Sequence, residues 1–207
     1  VSEALDHHQR AAETKRIRSR TRLLEAAEEL FEREGWYATR VEDVAKQAGV
    51  SLATANNYFK SKRSLVGHIY RPYFLTLQDQ LTVDLENMSA LQALERLIFA
   101  LSRLMQRKPN LTVAVMTAAR EETARGDNPR PGEPDVRQLV PMSSLMIKCL
   151  ERAREQQEIP SALPVHDIST YHTNALLLRI FHPNKTVEST AKFALSQILP
   201  VLGVTPK

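Results

Sequence analysis

The chain has 207 residues, 43% hydrophobic and 25% charged, enough for a buried core in one generous domain or two small ones. A formal net charge of +4 excludes a polycation that grips nucleic acid by bulk charge, so basic residues matter only where they cluster. The single cysteine, Cys149, excludes an internal disulfide framework. No apolar run reaches membrane-spanning length, and the N-terminus lacks the cation-then-apolar pattern of a signal peptide, so a cytoplasmic protein with no membrane partner is expected. Leucine and alanine abound while glycine is scarce, which predicts an all-α fold of about nine helices.

Val1 to Thr14 is polar and reads as a mobile arm or a ragged helix start. His7 and His8 are adjacent and project differently from a helix, so they do not suggest a metal site. Lys15, Arg16, Arg18, Arg20 and Arg22 follow with no acid among them, and with the arm they read as a tail for the DNA backbone or minor groove. A first helix is predicted from about Lys15 to Glu34, burying Leu23, Ala26, Ala27, Leu30 and Phe31. Trp36 and Tyr37 follow Gly35 and are expected to pack in the core rather than stack on bases.

Residues 39–62, TRVEDVAKQAGVSLATANNYFKSK, organise the rest. Thr39 with Glu42 has the spacing of a capping box. Val41, Val44, Ala45 and Ala48 then form a narrow apolar stripe, and Gly49 supplies the positive φ that ends a helix. Ser51 caps a second helix in which Leu52, Ala55 and Phe59 are expected to face inward. Ala53, Thr54, Asn56 and Asn57 remain outside, small or polar and uncharged, which suits base edges in a major groove. Cations flank that surface on both sides, with Lys60, Lys62 and Arg63 after it, as phosphate clamping requires. The pattern is a helix-turn-helix over about 40–59; an ordinary helical hairpin is the plain alternative.

The stretch LLEAAEELFEREGWYATRVEDVAKQAGVSLATANNYFKSKRSL resembles the TetR family of transcriptional regulators. The matching pieces are Leu30-Phe31, Gly35, Thr39, Val44-Ala45, Ala48-Gly49-Val50-Ser51, Thr54, Tyr58-Phe59 and Lys62, over roughly the first third of the chain. The resemblance implies a DNA-binding domain over 15–62, followed over 63–207 by a helical domain that binds an effector and dimerises. Where the family commonly has an aromatic residue two positions after the threonine, Asn56 stands here. The resemblance therefore carries phosphate contacts at Thr54, Tyr58 and Lys62 further than a base contact at Asn56. The full candidate DNA-contact set is Arg20, Thr39, Arg40, Ser51, Leu52, Ala53, Thr54, Asn56, Asn57, Tyr58, Lys60 and Lys62.

A long helix from Ser61 towards Asn87 contains Pro72 mid-pattern, read either as a flexure through which an effector moves the reading head or as a tolerated kink. Ser89 to Lys108 is the clearest amphipathic helix, Pro109 breaks it, and Leu111 to Arg125 resumes. Gly126 to Pro134 is the one Pro/Gly-dense loop, and Val136 to Gln157 is expected as a single central helix. Phe99, Met105, Met116, Met142, Met146 and Cys149 are candidates to line a cavity for a small apolar or amphipathic effector, each equally readable as plain core. Leu163 to Phe181 and Thr186 to Leu202 form a terminal pair joined through His182 to Lys185. Ile168, Ala175, Leu176, Ile180, Val187, Ala191, Ala194 and Ile198 are the candidate dimer face, since one recognition helix contacts too few bases alone. The spacings of His166, His172 and His182 do not stack on adjacent turns, so no metal and no cofactor are expected.

The partners this reading implies are double-stranded DNA, a second copy of the chain and a small-molecule effector. Its leading function is a ligand-responsive dimeric repressor on a palindromic operator. The alternatives are an effector-independent or architectural DNA-binding protein and a helical enzyme. Against the enzyme, no phosphate loop, HExxH or nucleophile motif is present.

Overall fold

Helix α1 (Ser2–Ala38) is the longest element and carries the rest of the N-terminal region. The computed structural model describes residues 2–126, 128–140, 142–181 and 185–204. His182, Pro183 and Asn184 of the expected linker, Asp127 of the Pro/Gly loop and the side chains of His7 and His8 lie outside the described residues. Ser2 to Thr14 is helical, where a mobile arm or ragged start was expected. Its Glu, Gln, Arg and Ala residues are strong helix formers, and Glu13 pairs with Arg16 at 3.3 Å. α1 also runs past Glu34, with a kink at Gly35, whose φ of 77° an L side chain resists.

Next come α2 (Val41–Gln47), α3 (Leu52–Tyr58), α4 (Lys62–Asn87), α5 (Ala90–Arg107) and α6 (Pro109–Arg125). Local chemistry explains their ends. Ser61 caps α4, Ser89 and Gln92 close a reciprocal capping box on α5, and Pro109 opens α6, where its missing N–H costs nothing. α4 continues through Pro72 without ending. After the loop come α7 (Val136–Leu139), α8 (Ser143–Glu155), α9 (Val165–Leu178) with a 3-10 turn (Arg179–Phe181), and α10 (Val187–Val201), capped by Thr186.

The fold is all-α with ten α-helices among the described residues, one more than expected, because Val136 to Gln157 is two helices. α7 ends at Leu139 and α8 begins at Ser143, and Met142 has φ 65°. Pro141 in the sequence was the available signal, since proline cannot donate to a helical ladder.

Leu23, Ala27, Phe31, Trp36, Val44, Ala45 and Phe59 are buried in the head, and Trp36 stacks on Phe31 at 5.9 Å. Leu94, Ile98, Leu101, Leu111, Val115 and Leu150 are buried in the body. α1 packs directly on α6, and polar bonds fix that joint. The Glu32 carboxylate accepts from the backbone N–H of Leu111 (3.0 Å) and Asn110 (3.4 Å), where α6 has no partners of its own. The Asn110 amide donates back to the Glu32 carbonyl at 2.7 Å. Trp36 Nε1 donates to Glu121 at 2.9 Å, and Glu28 meets Lys108 at 3.1 Å and the Tyr73 hydroxyl. Burial and the neighbouring carboxylate raise the Tyr73 phenol to about 12.

Glu32→Ala removes a side-chain cap between two domains' worth of helices. It is expected to lower the unfolding free energy by about 1–2 kcal/mol, read as a fall in the denaturant midpoint at unchanged slope.

Candidate nucleic-acid interface

The turn between α2 and α3 is built from backbone bonds. Gly49 has φ 63°, its N–H donates to the Lys46 carbonyl at 3.1 Å, and the Val50 N–H reaches the Ala45 carbonyl at 3.0 Å. Ser51 Oγ accepts from the Thr54 N–H at 3.1 Å and lies 2.8 Å from the Thr54 hydroxyl, closing the start of α3. Ala55 and, just past the helix, Phe59 are buried, which anchors α3 by one side. Ala53, Asn56 and Asn57 are exposed on the other, and Thr54 is half-buried between them. The uncharged outer face expected from the sequence is therefore present.

Struts from α1 fix its aim. The Tyr58 hydroxyl donates to the Arg16 carbonyl at 3.0 Å, and the Arg20 guanidinium lies over the Phe59 ring at 5.5 Å. Arg22 Nη2 donates to the Ala48 carbonyl, and the Gly49 carbonyl lies 3.4 Å away. This strut was not visible in the sequence, where Arg22 is one member of a basic run. Arg40 and Lys60 are exposed beside α2 and α3.

Two candidate contacts and one expected burial need correction. Thr39 does not form a capping box. Arg40 holds the N-cap position of α2 without a side-chain bond, while the Thr39 hydroxyl donates to the Gly35 carbonyl at 2.8 Å. At 1% exposure Thr39 offers no surface to DNA. Lys62, expected to hold a phosphate, turns inward. Its Nζ donates to the carbonyls of Trp36 (2.6 Å) and Thr39 (3.3 Å) and sits 4.2 Å from the Trp36 ring centroid. Desolvation lowers its pKa below the usual lysine value, with Glu121 pulling the other way. Leu52, expected to face inward, is 38% exposed, because it is the first residue of a short helix and overhangs the turn. Trp36 is buried as expected, but Tyr37 is 84% exposed. The Gly35 kink turns consecutive residues to opposite sides, which helical periodicity could not foretell. Tyr37 is thus an exposed group that sequence reasoning missed, beside Arg40, which it had named.

The expected effector cavity is not one cavity. Met146 and Cys149 are buried in the core, and burial pushes the Cys149 thiol up to about 12. Phe99 lines one cleft of about 360 Å³ between α4 and α5, Met105 a separate recess of about 230 Å³, and Met142 a third. Met116 is half-buried against the core. The reason is topological: Met105 lies on α5, Met116 on α6 and Met146 on α8, with Met142 at the N-cap of α8. The third cleft is the largest, about 940 Å³, between α4 and the 129–144 segment. His68, Arg71, Phe74 and Leu75 line one wall; Leu139, Val140 and Met142 line the other. Arg137 at its edge is held by Asp135 in two bonds of 2.9 Å, which keeps that carboxyl below its usual range. His68 lies edge-on to Phe59 at 5.2 Å, and burial holds its pKa below the ordinary histidine value. Among the described residues no group of three or more His, Cys, Asp or Glu gathers as a metal site would require. No helix among them is long and apolar enough to cross a membrane.

The candidate dimer face is likewise divided. Ile168, Leu176, Ala191 and Ile198 are buried within the chain's own bundle, where α9 and α10 pack on α8 and α5. Ile180, Val187 and Ala194 are half-buried, and Ala175 is exposed. The outward apolar residues of these two helices are Tyr171, Leu178, Phe193 and Val201. The sequence stripe marked the inner face, since burial within one chain and between two chains leaves the same helical period.

The described residues form an all-helical body carrying a helix-turn-helix with an uncharged outer face. The family described as "Bacterial regulatory proteins, tetR family" matches residues 23–69. A curated relative, the probable HTH-type transcriptional regulator YttP of Bacillus subtilis, is 28% identical over 83 residues, spanning 40% of each chain. Among solved structures, FadR from Bacillus subtilis in complex with stearoyl-CoA aligns with a TM-score of 0.69 at 16% identity, covering 90% of this chain and 99% of that one. FadR of Thermus thermophilus in complex with lauroyl-CoA aligns with a TM-score of 0.61 at 19% identity, covering 91% and 97%. Residues 23–69 thus match the helix-turn-helix segment of the tetR family, and over about nine-tenths of its length the chain shares the fold of these solved regulators.

The inward Lys62 generates a prediction. Lys62→Met is expected to destabilise the fold by about 1–3 kcal/mol, because two carbonyls lose a charged donor. At temperatures where the variant stays folded, the salt dependence of DNA binding is expected to match the parent. A slope lower by about one would place Lys62 on a phosphate instead.

Proposed function

We propose that this chain is a ligand-responsive repressor that acts as a homodimer on a palindromic operator, with residues 15–62 as the reading head and 63–207 as the effector and dimerisation domain. The observation that carries the reading is the outer face of α3. Ala53, Asn56 and Asn57 are exposed while Ala55 and Phe59 fix the helix from beneath. A neutral, hydrogen-bonding face enters the major groove without demanding a charged partner, and asparagine can pair with adenine through two bonds. Arg20, Arg40, Ser51, Leu52, Thr54, Tyr58 and Lys60 surround that face and are assigned to the backbone and groove edge; Tyr37 joins them, and Thr39 and Lys62 drop out.

α3 is seven residues long and touches few base pairs, so specificity calls for a second copy. Tyr171, Leu178, Phe193 and Val201 are the apolar residues left uncovered on α9 and α10, which supports that face as the dimer contact.

The effector is assigned to the cleft beside α4. It has a mixed lining, aromatic and aliphatic residues with Arg71 and His68 on one wall, and Glu133 and the Asp135–Arg137 pair at its edge, which suits an amphipathic molecule. The two FadR neighbours hold acyl-CoA molecules, in keeping with that chemistry. His68 touches both the cleft and Phe59 at the end of α3, and Pro72 lies one turn beyond on α4. An effector that prefers the arrangement unable to bind DNA would then draw the population off the operator.

Selection of bound duplexes from a random pool is expected to return a palindrome. Asn57→Ala is expected to cost about 1–3 kcal/mol at particular base pairs while binding to random DNA is kept. An architectural protein would instead return no consensus and show equal loss on all sequences. For the dimer, the Phe193→Asp variant is expected to sediment as a monomer at micromolar concentration where the parent is a dimer. A parent that is itself a stable monomer would remove the dimer from this account.

A further inference from the structure

The cations of the α1 arm are not equivalent, and their partners sort them. Arg16 is paired with Glu13, Arg20 is stacked on Phe59, and Arg22 is spent on the carbonyls of the α2–α3 turn. Lys15 and Arg18 make no hydrogen bond or ion pair among the described residues, and both are exposed. Ala11, Lys15, Arg18 and Arg22 follow one another at steps of four, three and four, so they share one face of the helix. Arg16 and Glu13 occupy another.

The unpaired face does not look into empty solvent. Lys15, Arg18 and Arg22 line one side of a cleft of about 520 Å³ whose other side is Gly49, Val50 and Thr54. No carboxylate lines this cleft among the described residues. Thr54 belongs to the recognition helix itself, so the two unpaired cations stand beside the face that reads the bases. The arm is helical, and this places them in advance; a flexible tail would have to be ordered on binding.

We propose that this cleft seats the phosphodiester backbone flanking the bases read by α3, with Lys15 and Arg18 as the phosphate ligands. Arg22 acts as a positioning residue that holds the turn against the arm. The inference rests on the DNA-binding reading and adds contacts that reading does not need. From Arg10 to Arg22 the arm measures about 18 Å at 1.5 Å per residue, the length of about five base pairs at 3.4 Å each. Laid along the duplex, an arm of that length extends the footprint of one protomer beyond the base pairs reached by α3.

The test uses the full chain and a duplex selected from the random pool, prepared with and without about five flanking base pairs on each side. For the parent, trimming the flanks is expected to weaken binding about tenfold. For Lys15→Gln/Arg18→Gln, trimming is expected to change nothing, and the slope of log affinity against log salt is expected to fall by about two per bound protomer. The ratio of specific to random affinity stays as in the parent. Lys15→Arg/Arg18→Lys is expected to restore both slope and flank dependence, and Arg16→Gln to leave them alone. The proposal is overturned if the double variant keeps the parent's slope, or if Arg16→Gln lowers it equally, since bulk charge would then suffice. A parent indifferent to flank length overturns it without any variant. A parent that binds no duplex at low salt defeats the DNA-binding reading itself, which is a separate outcome.

Discussion

Helix α1 holds the recognition helix and the body at once, and every functional geometry in the molecule depends on that double attachment. Towards the head it supplies Arg22 to the turn carbonyls, the Arg16 carbonyl to Tyr58 and the Arg20 cation to Phe59. Towards the body it supplies Glu32 to the start of α6, Glu28 to Lys108 and Tyr73, and Trp36 to Glu121. α2 and α3 are seven residues each, too short to be stable alone, so their direction is set by what grips them.

Two clefts border the head, one beside α4 and one beside α1, and they differ in chemistry. The cleft beside α4 is amphipathic, sits where His68 meets Phe59, and borders the Pro/Gly-dense loop. A molecule bound there bears on the end of the recognition helix and on α4 within one turn of Pro72. The cleft beside the arm is cationic and bears on the start of the same helix. The two clefts thus border opposite ends of α3, one through His68 against Phe59 and the other through Thr54.

Lys62 and Thr39 show how one motif residue can serve the scaffold instead of the ligand. Both belong to the pattern by which the TetR resemblance was recognised. Here they bond to one another's neighbourhood and tie the Gly35 corner to the start of α4. A lysine with two carbonyls and an aromatic face within reach loses part of its hydration but keeps its charge satisfied, so it stays inward. Residues that identify a fold need not be those that contact its partner.

Periodicity and punctuation in the sequence were enough for the element order. The Ser51 and Ser89 caps, Gly49, Pro109 and the stripe of Val44, Ala45 and Ala48 are local signals that act within one or two turns. They also exposed the neutral face of α3, because one buried side of a short helix defines the other. What only the tertiary structure decided was which neighbour each face meets. The side chains of Ala191 and Ile198 pack inside this chain, Tyr37 swings out past a kinked glycine, and Met105 and Met142 line separate clefts while Met146 is core. A helical stripe reports that a surface is buried but carries no record of what buries it, since the hydrophobic effect is non-directional. Which cations of the arm are already engaged was equally out of reach, because their partners lie up to tens of residues away along the chain.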